Sequence, residues 1–267
     1  MALHQKTGIL LVAFGSRRAD ARAAMANIDR EVNEAFPGTE LFWAFTSGIV
    51  RGKLKAENRP IDSPLEALNR MRDHGFSEII VQSLHVIPGG EYESLQKTIS
   101  SFTAQTGDAV SVRSGKPLLY NHEDILEVCR ILPVLLPAAE DERDAVILMG
   151  HGTSHPSNIY YPGIQYYLWQ QSPRYWIATV EGYPSLQDIL PLLKEKQIRR
   201  VWLVPFLAIA GNHAVTDMAG DKPDSWKSVL EANGYEVRAV LKGLAEYNEI
   251  VRIWISHLKD SLKVHSL

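Results

Sequence analysis

Three residues in the second half of the chain have the types and placement to hold a divalent metal. His151 follows the apolar run 145–149, Glu181 follows the run 175–180, and His213 follows a run that begins at Val201. They stand 30 and 32 residues apart, too far for one helix or one turn, yet each closes a different β-rich stretch. Side chains that end different strands of one parallel sheet converge at its carboxyl edge, where open α/β sheets bind their ligands. Two imidazoles and a carboxylate suit a first-row divalent ion such as cobalt, iron, nickel or zinc, and they leave coordination positions open. A closed structural zinc site wants four ligands, usually with cysteine among them, and the chain offers none nearby. An open site holds its metal for a substrate, either to act on it or to be handed over.

Each residue alone has an ordinary explanation. His151 in Gly150-His151-Gly152 can simply tolerate a turn, Glu181 before Gly182 can be a solvated loop acid, and His213 follows the turn signal Gly211-Asn212. Taken together at matching strand ends, they favour a metal. His151 and His155 are four apart, but Gly152 and Pro156 oppose the helix that a two-histidine zinc face requires, and no glutamate follows His151. Neither half carries G-x-G-x-x-G or G-x-x-x-x-G-K-[ST], so no nucleotide cofactor is expected. Ser16, Ser47 and Ser83 lack the G-x-S-x-G elbow of an α/β-hydrolase. The one cysteine, Cys129, cannot form an internal disulfide and reads as a core residue.

The elements that must position these residues are written twice. Ile9-Leu10-Leu11-Val12-Ala13-Phe14-Gly15-Ser16 is echoed by Ala145-Val146-Ile147-Leu148-Met149-Gly150-His151-Gly152-Thr153, with His151 where the first copy has Phe14. The stretch from Ile79 to Glu91 is echoed from Val201 to His213 at an offset of 122 residues, which aligns Glu91 with His213. The runs are short, β-rich and not alternating, as parallel strands covered on both faces should be. Helical patterns lie between them: 19–35, a helix capped by Ser63 with Pro64 and Glu66 in its first turn, 121–136 up to Pro133 and Pro137, a helix capped by Ser185, and a closing helix over 245–262. Strands are expected over 76–84, 175–180, 198–204 and 235–240. This predicts an α/β fold of two Rossmann-like domains with parallel sheets, related by internal duplication, with a cleft between them. The expected halves are 1–128 and 129–267, joined through the charged segment 138–144, with the closing helix free to pack on the N-terminal half.

The 267 residues allow one large domain or two ordinary ones, and 45% hydrophobic with 22% charged residues is a globular composition. A net charge of −3 gives no general attraction to nucleic acid or acidic membranes. The first residues, Met1 to Gly8, lack the apolar region of a secretory leader. The run 8–14 is far short of the ~20 apolar residues that span a bilayer. A cytoplasmic protein with neither nucleic-acid nor membrane partner is the expectation, and a homo-oligomer is compatible with the sequence.

At these residues the chain resembles the class II tetrapyrrole chelatases, most closely the anaerobic sirohydrochlorin cobaltochelatases of cobalamin biosynthesis. The marks are Leu11-Val12-Ala13-Phe14-Gly15-Ser16-Arg17, Ala44-Phe45-Thr46-Ser47 and His85-Val86-Ile87-Pro88-Gly89-Gly90-Glu91-Tyr92-Glu93. In the second half they are Met149-Gly150-His151-Gly152-Thr153-Ser154-His155, Val180-Glu181-Gly182-Tyr183-Pro184-Ser185 and the stretch from Gly211 to Asp221. The resemblance spans nearly the whole chain. It implies two facing domains around a macrocycle, with His151, Glu181 and His213 matching the family's metal-binding residues. The substrate metal it implies is Co2+, with iron and nickel as the alternatives used by relatives, and the partner is sirohydrochlorin.

On that reading His151 or His213 takes a pyrrole proton, imidazole with its ordinary pKa of about 6.5 being suited to the task. Glu91, facing the cleft from the first half, is a candidate proton relay or second approach to the metal, with a plain capping acid as its ordinary reading. Phe14, Ser16, Arg17, Ser47, Arg51, Glu91, Tyr92 and His155 are the expected substrate-binding residues. Arg18 and Lys53 are further candidate partners for the ring's carboxylates. Tyr160, Tyr161, Tyr166 and Trp169 either stack on the ring or form a helix core face. A non-catalytic tetrapyrrole or metal carrier is the rival reading, and a metal-dependent hydrolase with Asp217 as its general base is another.

Overall fold

The structure is a computed structural model that describes residues 6–18, 21–136 and 141–263. Two separate parallel sheets organise them. The first is built from β1 (Thr7–Ala13), β2 (Glu40–Phe45), β3 (Glu78–Ser83) and β4 (Ser111–Gly115), in the order β2-β1-β3-β4. The second is built from β5 (Asp144–Gly150), β6 (Tyr175–Thr179), β7 (Arg200–Pro205) and β8 (Glu236–Ala239), in the order β6-β5-β7-β8. Equivalent strands hold equivalent places, so the duplication read in the sequence is also one of topology.

Helices fill the crossovers: α1 (Ala21–Ala35), α2 (Gly48–Ala56), α3 (Pro64–Asp73), α4 (Gly90–Thr106), α5 (His122–Leu135), α6 (Tyr160–Gln171), α7 (Leu186–Glu195), α8 (Trp226–Ala232) and α9 (Asn248–Lys263). Local chemistry sets several of the ends. Ser63 Oγ accepts from Glu66 N while Glu66 Oε2 accepts from Ser63 N, the reciprocal box that starts α3 with Pro64 in its first turn. Asn121 and Asp124 do the same for α5, while at α7 Asp188 Oδ2 accepts from both Ser185 N at 2.7 Å and Ser185 Oγ at 2.6 Å.

Three sequence expectations are adjusted. Helix α5 runs through Pro133 and ends at Leu135, losing one backbone donor rather than stopping there. Helix α9 begins at Asn248, because 244–246 is a separate 3₁₀ turn. Strands β2 and β4 add to the expected set: β4 is a half-covered edge strand with Ser111, Arg113 and Ser114 in it, whereas β2 carries the apolar run 41–45. The start of the expected first helix at 19–20 and the linker residues 138–140 lie outside the described residues, as does the stretch 1–5 read for a leader.

Pleating divides the core. Ile9, Leu11 and Ala13 of β1 share one continuous core with Val146 and Leu148 of β5. Their neighbours Leu10 and Val12 face a separate core with Leu68 of α3 and Phe102 of α4. Ala145, Ile147 and Met149 face a third with Ile189 of α7 and Leu230 of α8. Each strand is thereby buried on both sides, which is why the runs do not alternate. Residues of α1, α5, α6 and α9 fill the shared core.

Helix α9 lies against α1, β3 and β4 of the first half, and α5 packs on α6. Ile250, Val251, Trp254 and Leu258 of α9 are buried almost completely, each stabilising by ~1.5–3 kcal/mol through removal of apolar area from water. Cys129 belongs to the same core, and burial pushes its thiol up to about 12, so it is inert. No described helix is long and apolar enough to cross a membrane.

Candidate metal centre

The carboxyl ends of both sheets open onto one cleft of about 850 Å³, a size in the range of small-molecule sites. In each half the central strand leads into a turn with positive φ: Gly15 at +103° after β1 and Gly152 at +78° after β5. Only glycine accepts that backbone readily, and the residue just before it is aimed at the cleft. In the first half that residue is Phe14, and in the second it is His151.

The second half supplies the donors. His151 leaves β5, Glu181 follows β6, and His213 opens a π-helical turn, His213–Met218, beyond β7. One ligand atom from each lies within 4.8 Å of the others. The two imidazoles meet edge to face, ring centroids 4.8 Å apart at 86°, and Glu181 Oε2 stands 3.8 Å from His151 Nδ1. Donors held around one first-row ion at ~2.1 Å stand roughly 3.4 Å apart in tetrahedral geometry. A small inward movement, chiefly of the exposed Glu181 side chain, would therefore close the three on an ion.

The turns that carry His151 and Glu181 are locked together. Val180 N donates to Gly150 O at 3.1 Å and Glu181 N to His151 O at 2.8 Å. Gly152 packs against Gly182 so closely that a Cβ on it would come within 2.5 Å of Gly182 N. Tyr161, buried beneath, accepts from Gly152 N at 3.3 Å through its hydroxyl.

Both imidazoles are held by acceptors. His151 Nδ1 lies 3.0 Å from Gly152 O, and His213 Nδ1 lies 2.6 Å from Asp217 Oδ2. A carbonyl and a carboxylate can only accept, so both Nδ1 atoms donate and both Nε2 lone pairs are left for a metal. Sequence reasoning offered Asp217 as a hydrolase base, but its carboxylate is turned to His213. The four-residue spacing from His213 was the available signal.

The first half supplies charge and an apolar wall. Phe14, Ser16, Arg17, Arg18, Ser47, Lys53, His85 and Glu91 line the cleft opposite the donors. Phe14 lies 5.8 Å from the His151 ring, Ser47 caps α2, and Arg17 reaches Glu57 at 3.4 Å. Glu91 is in the first turn of α4 and exposed.

Three expected substrate residues are placed away from the cleft lining. Arg51 pairs with Glu66 at 3.7 Å, Tyr92 packs edge to face on Tyr120, and His155 Nε2 meets Glu93 Oε1 at 3.1 Å. Of the four aromatic residues in and near α6, Tyr161 alone reaches the cleft. Trp169 packs on Trp176, and Tyr166 faces outward.

The sequence and the fold have known relatives. The family model described as cobalt chelatase (CbiK) matches residues 7–263. The chain is 40% identical over 253 residues to the sirohydrochlorin cobaltochelatase CbiKC of Nitratidesulfovibrio vulgaris, covering 95% of this chain and 89% of that one. It is 31% identical to the sirohydrochlorin cobaltochelatase of Salmonella typhimurium, covering 97% of each. The solved structure of SirB from Bacillus subtilis with Fe3+ shares the fold, with a TM-score of 0.65 at 17% identity, covering 96% of this chain and 95% of that one.

Proposed function

The chain belongs to the cobalt chelatase (CbiK) family, and from that membership we infer that it is a sirohydrochlorin cobaltochelatase of cobalamin biosynthesis. The reaction is insertion of Co2+ into the ring with release of two protons, and no nucleotide takes part. The observation that carries this reading to named residues is the convergence of His151, Glu181 and His213 within 4.8 Å at a cleft of about 850 Å³.

The cleft divides the work. His151, Glu181 and His213 hold Co2+ on the second-half side, with coordination positions left for water and then for pyrrole nitrogens. As nitrogens replace the protein ligands, His151 or His213 takes a proton as it leaves the metal. Both are directed by Nδ1 donation, so the same Nε2 that bound Co2+ is the atom that accepts.

On the facing wall, Phe14 supplies apolar contact, and Arg17, Arg18 and Lys53 supply positive charge for the ring's carboxylates. Glu91 faces the same space from the repeat position equivalent to His213, where it can pass on the second proton. Holding the ring between two walls bends it toward its metallated shape, a contribution of ~1–5 kcal/mol.

The test is anaerobic spectrophotometry of sirohydrochlorin with Co2+, comparing the wild type with the uncatalysed rate. Metallation well above background supports the chelatase. A wild-type rate equal to background, with the ring bound and returned metal-free, would replace it with the carrier reading.

A further inference from the structure

We propose that Asp217 is a positioning residue for the metal site, fixing His213 in the Nδ1–H tautomer so that Nε2 faces the incoming Co2+. The proposal rests on the reading of His213 as a ligand. Its starting point is the 2.6 Å contact between His213 Nδ1 and Asp217 Oδ2, the shortest side-chain link at the site.

The carboxylate is itself held. Its other oxygen, Oδ1, accepts from the Thr216 hydroxyl at 2.9 Å. Thr216 Oγ1 in turn accepts from Asn212 Nδ2 at 3.0 Å and lies 2.8 Å from the Asn212 carbonyl oxygen. The chain Asn212, Thr216, Asp217, His213 runs along the π-helical turn His213–Met218 and the residue just before it, and the turn places the imidazole beside the carboxylate four residues on. Among the described residues no lysine or arginine pairs with Asp217, so its charge is spent on the imidazole.

A merely stabilising surface pair is a poor account of this arrangement. The Asp217 side chain is 41% exposed, and an exposed pair at that spacing contributes little to stability. What a carboxylate on the far nitrogen does well is fix a metal-binding histidine's tautomer and raise its donor strength. His151 has less of that help: its Nδ1 lies 3.0 Å from the neutral Gly152 carbonyl oxygen, and the nearest carboxylate oxygen, Glu181 Oε2, stands off at 3.8 Å. The two histidines are therefore inequivalent ligands, with His213 the more strongly directed.

The experiment uses full-length wild type, Asp217→Ala, Asp217→Asn and, as control, Asp221→Asn, whose carboxylate instead pairs with Lys227. Long-range 15N NMR of the metal-free proteins reads the His213 tautomer, and titration with Co2+ alone reads Kd. The expected result is a wild-type Nδ1–H tautomer that shifts toward Nε2–H in Asp217→Ala and Asp217→Asn. Their Kd for Co2+ should rise ~10–100-fold, the usual cost of losing such a partner, with thermal midpoints near wild type and the control unchanged.

An Asp217→Ala protein that keeps the Nδ1–H tautomer and binds Co2+ within about threefold of wild type would overturn the proposal. A parallel His213→Ala titration separates the two readings. If His213→Ala leaves Kd unchanged, it is the ligand assignment that fails, while the tautomer still decides the role of Asp217.

Discussion

Phe14 and His151, the first residues after β1 and β5, face each other with ring centroids 5.8 Å apart at 50°. They occupy the same position of the repeat, each just before a glycine with positive φ. One copy gives the cleft an apolar wall, and the other gives it an imidazole that, on the proposed reading, is a metal donor. This predicts a separation of effects. His151→Ala and His213→Ala should each lower Co2+ affinity and metallation rate by at least the ~10–100-fold that outer partners of a metal ligand contribute. Phe14→Ala should leave Co2+ affinity unchanged and raise KM for sirohydrochlorin. Titration with Co2+ alone, beside steady-state kinetics, checks both; a Phe14→Ala protein with weakened Co2+ binding would contradict the division.

The Gly152 turn makes a second prediction. Its φ is +78°, and an added Cβ would press on Gly182 N and the Thr179 side chain. Neither the backbone angle nor the contact has room to relax without moving His151 away from Glu181. Gly152→Ala should therefore lose Co2+ affinity by tenfold or more, with ~1–3 kcal/mol of stability lost to backbone strain. Gly163→Ala is the control, since a Cβ there meets nothing within 4 Å. Equal Co2+ affinities in the two variants would mean that the turn does not position the site.

How much of this was legible in the sequence differs between the halves of the cleft. His151, Glu181 and His213 could be found because strand ends in a parallel sheet converge whatever the spacing along the chain. The fold was legible for the same reason: β1, β3, β5 and β7 are buried on both faces and so are written as unbroken apolar runs. Strand β4, Ser111-Val112-Arg113-Ser114-Gly115, is an edge strand and leaves no such run. Arg51, Tyr92 and His155 stand beside cleft motifs, but neighbourhood in sequence does not decide which way a side chain turns. Each is drawn off by a partner distant in sequence: Glu66, Tyr120 and Glu93.

His85, at the end of β3, predicts a pH dependence. Its Nδ1 meets Ser83 Oγ at 2.9 Å, its Nε2 is sealed with no partner among the described residues, and burial pushes the imidazole down to about 4. Unfolded, it titrates near 6.5. Between those values the unfolded chain binds a proton that the folded chain does not, so stability rises with pH. That contribution should be fully present above about 6.5 and decline as pH falls toward 4. Thermal midpoints from pH 4 to 7 should fall less steeply for His85→Phe than for wild type, and parallel profiles would remove His85 as the cause.

Helix α9 ties the two halves together through a buried polar contact as well as its apolar face. His257 of α9 sets Nε2 3.0 Å from Asp124 Oδ1, and its Nδ1 lies 3.2 Å from the Lys116 carbonyl oxygen. Their side chains are 5% and 11% exposed, so water cannot replace either partner. Asp124 Oδ2 also accepts from Tyr120 N and Asn121 N, which makes the carboxylate the junction between α9, the start of α5 and the loop after β4. Removing His257 leaves Asp124 Oδ1 buried without its partner, at a cost of ~1–3 kcal/mol. His257→Ala should lose that much in urea unfolding and should speed hydrogen exchange in α9. The double variant His257→Ala/Asp124→Ala should lose less than the sum of the two single changes, because the second removes the group that the first strands. Additive losses would mean that α9 is held on the first half by its apolar face alone.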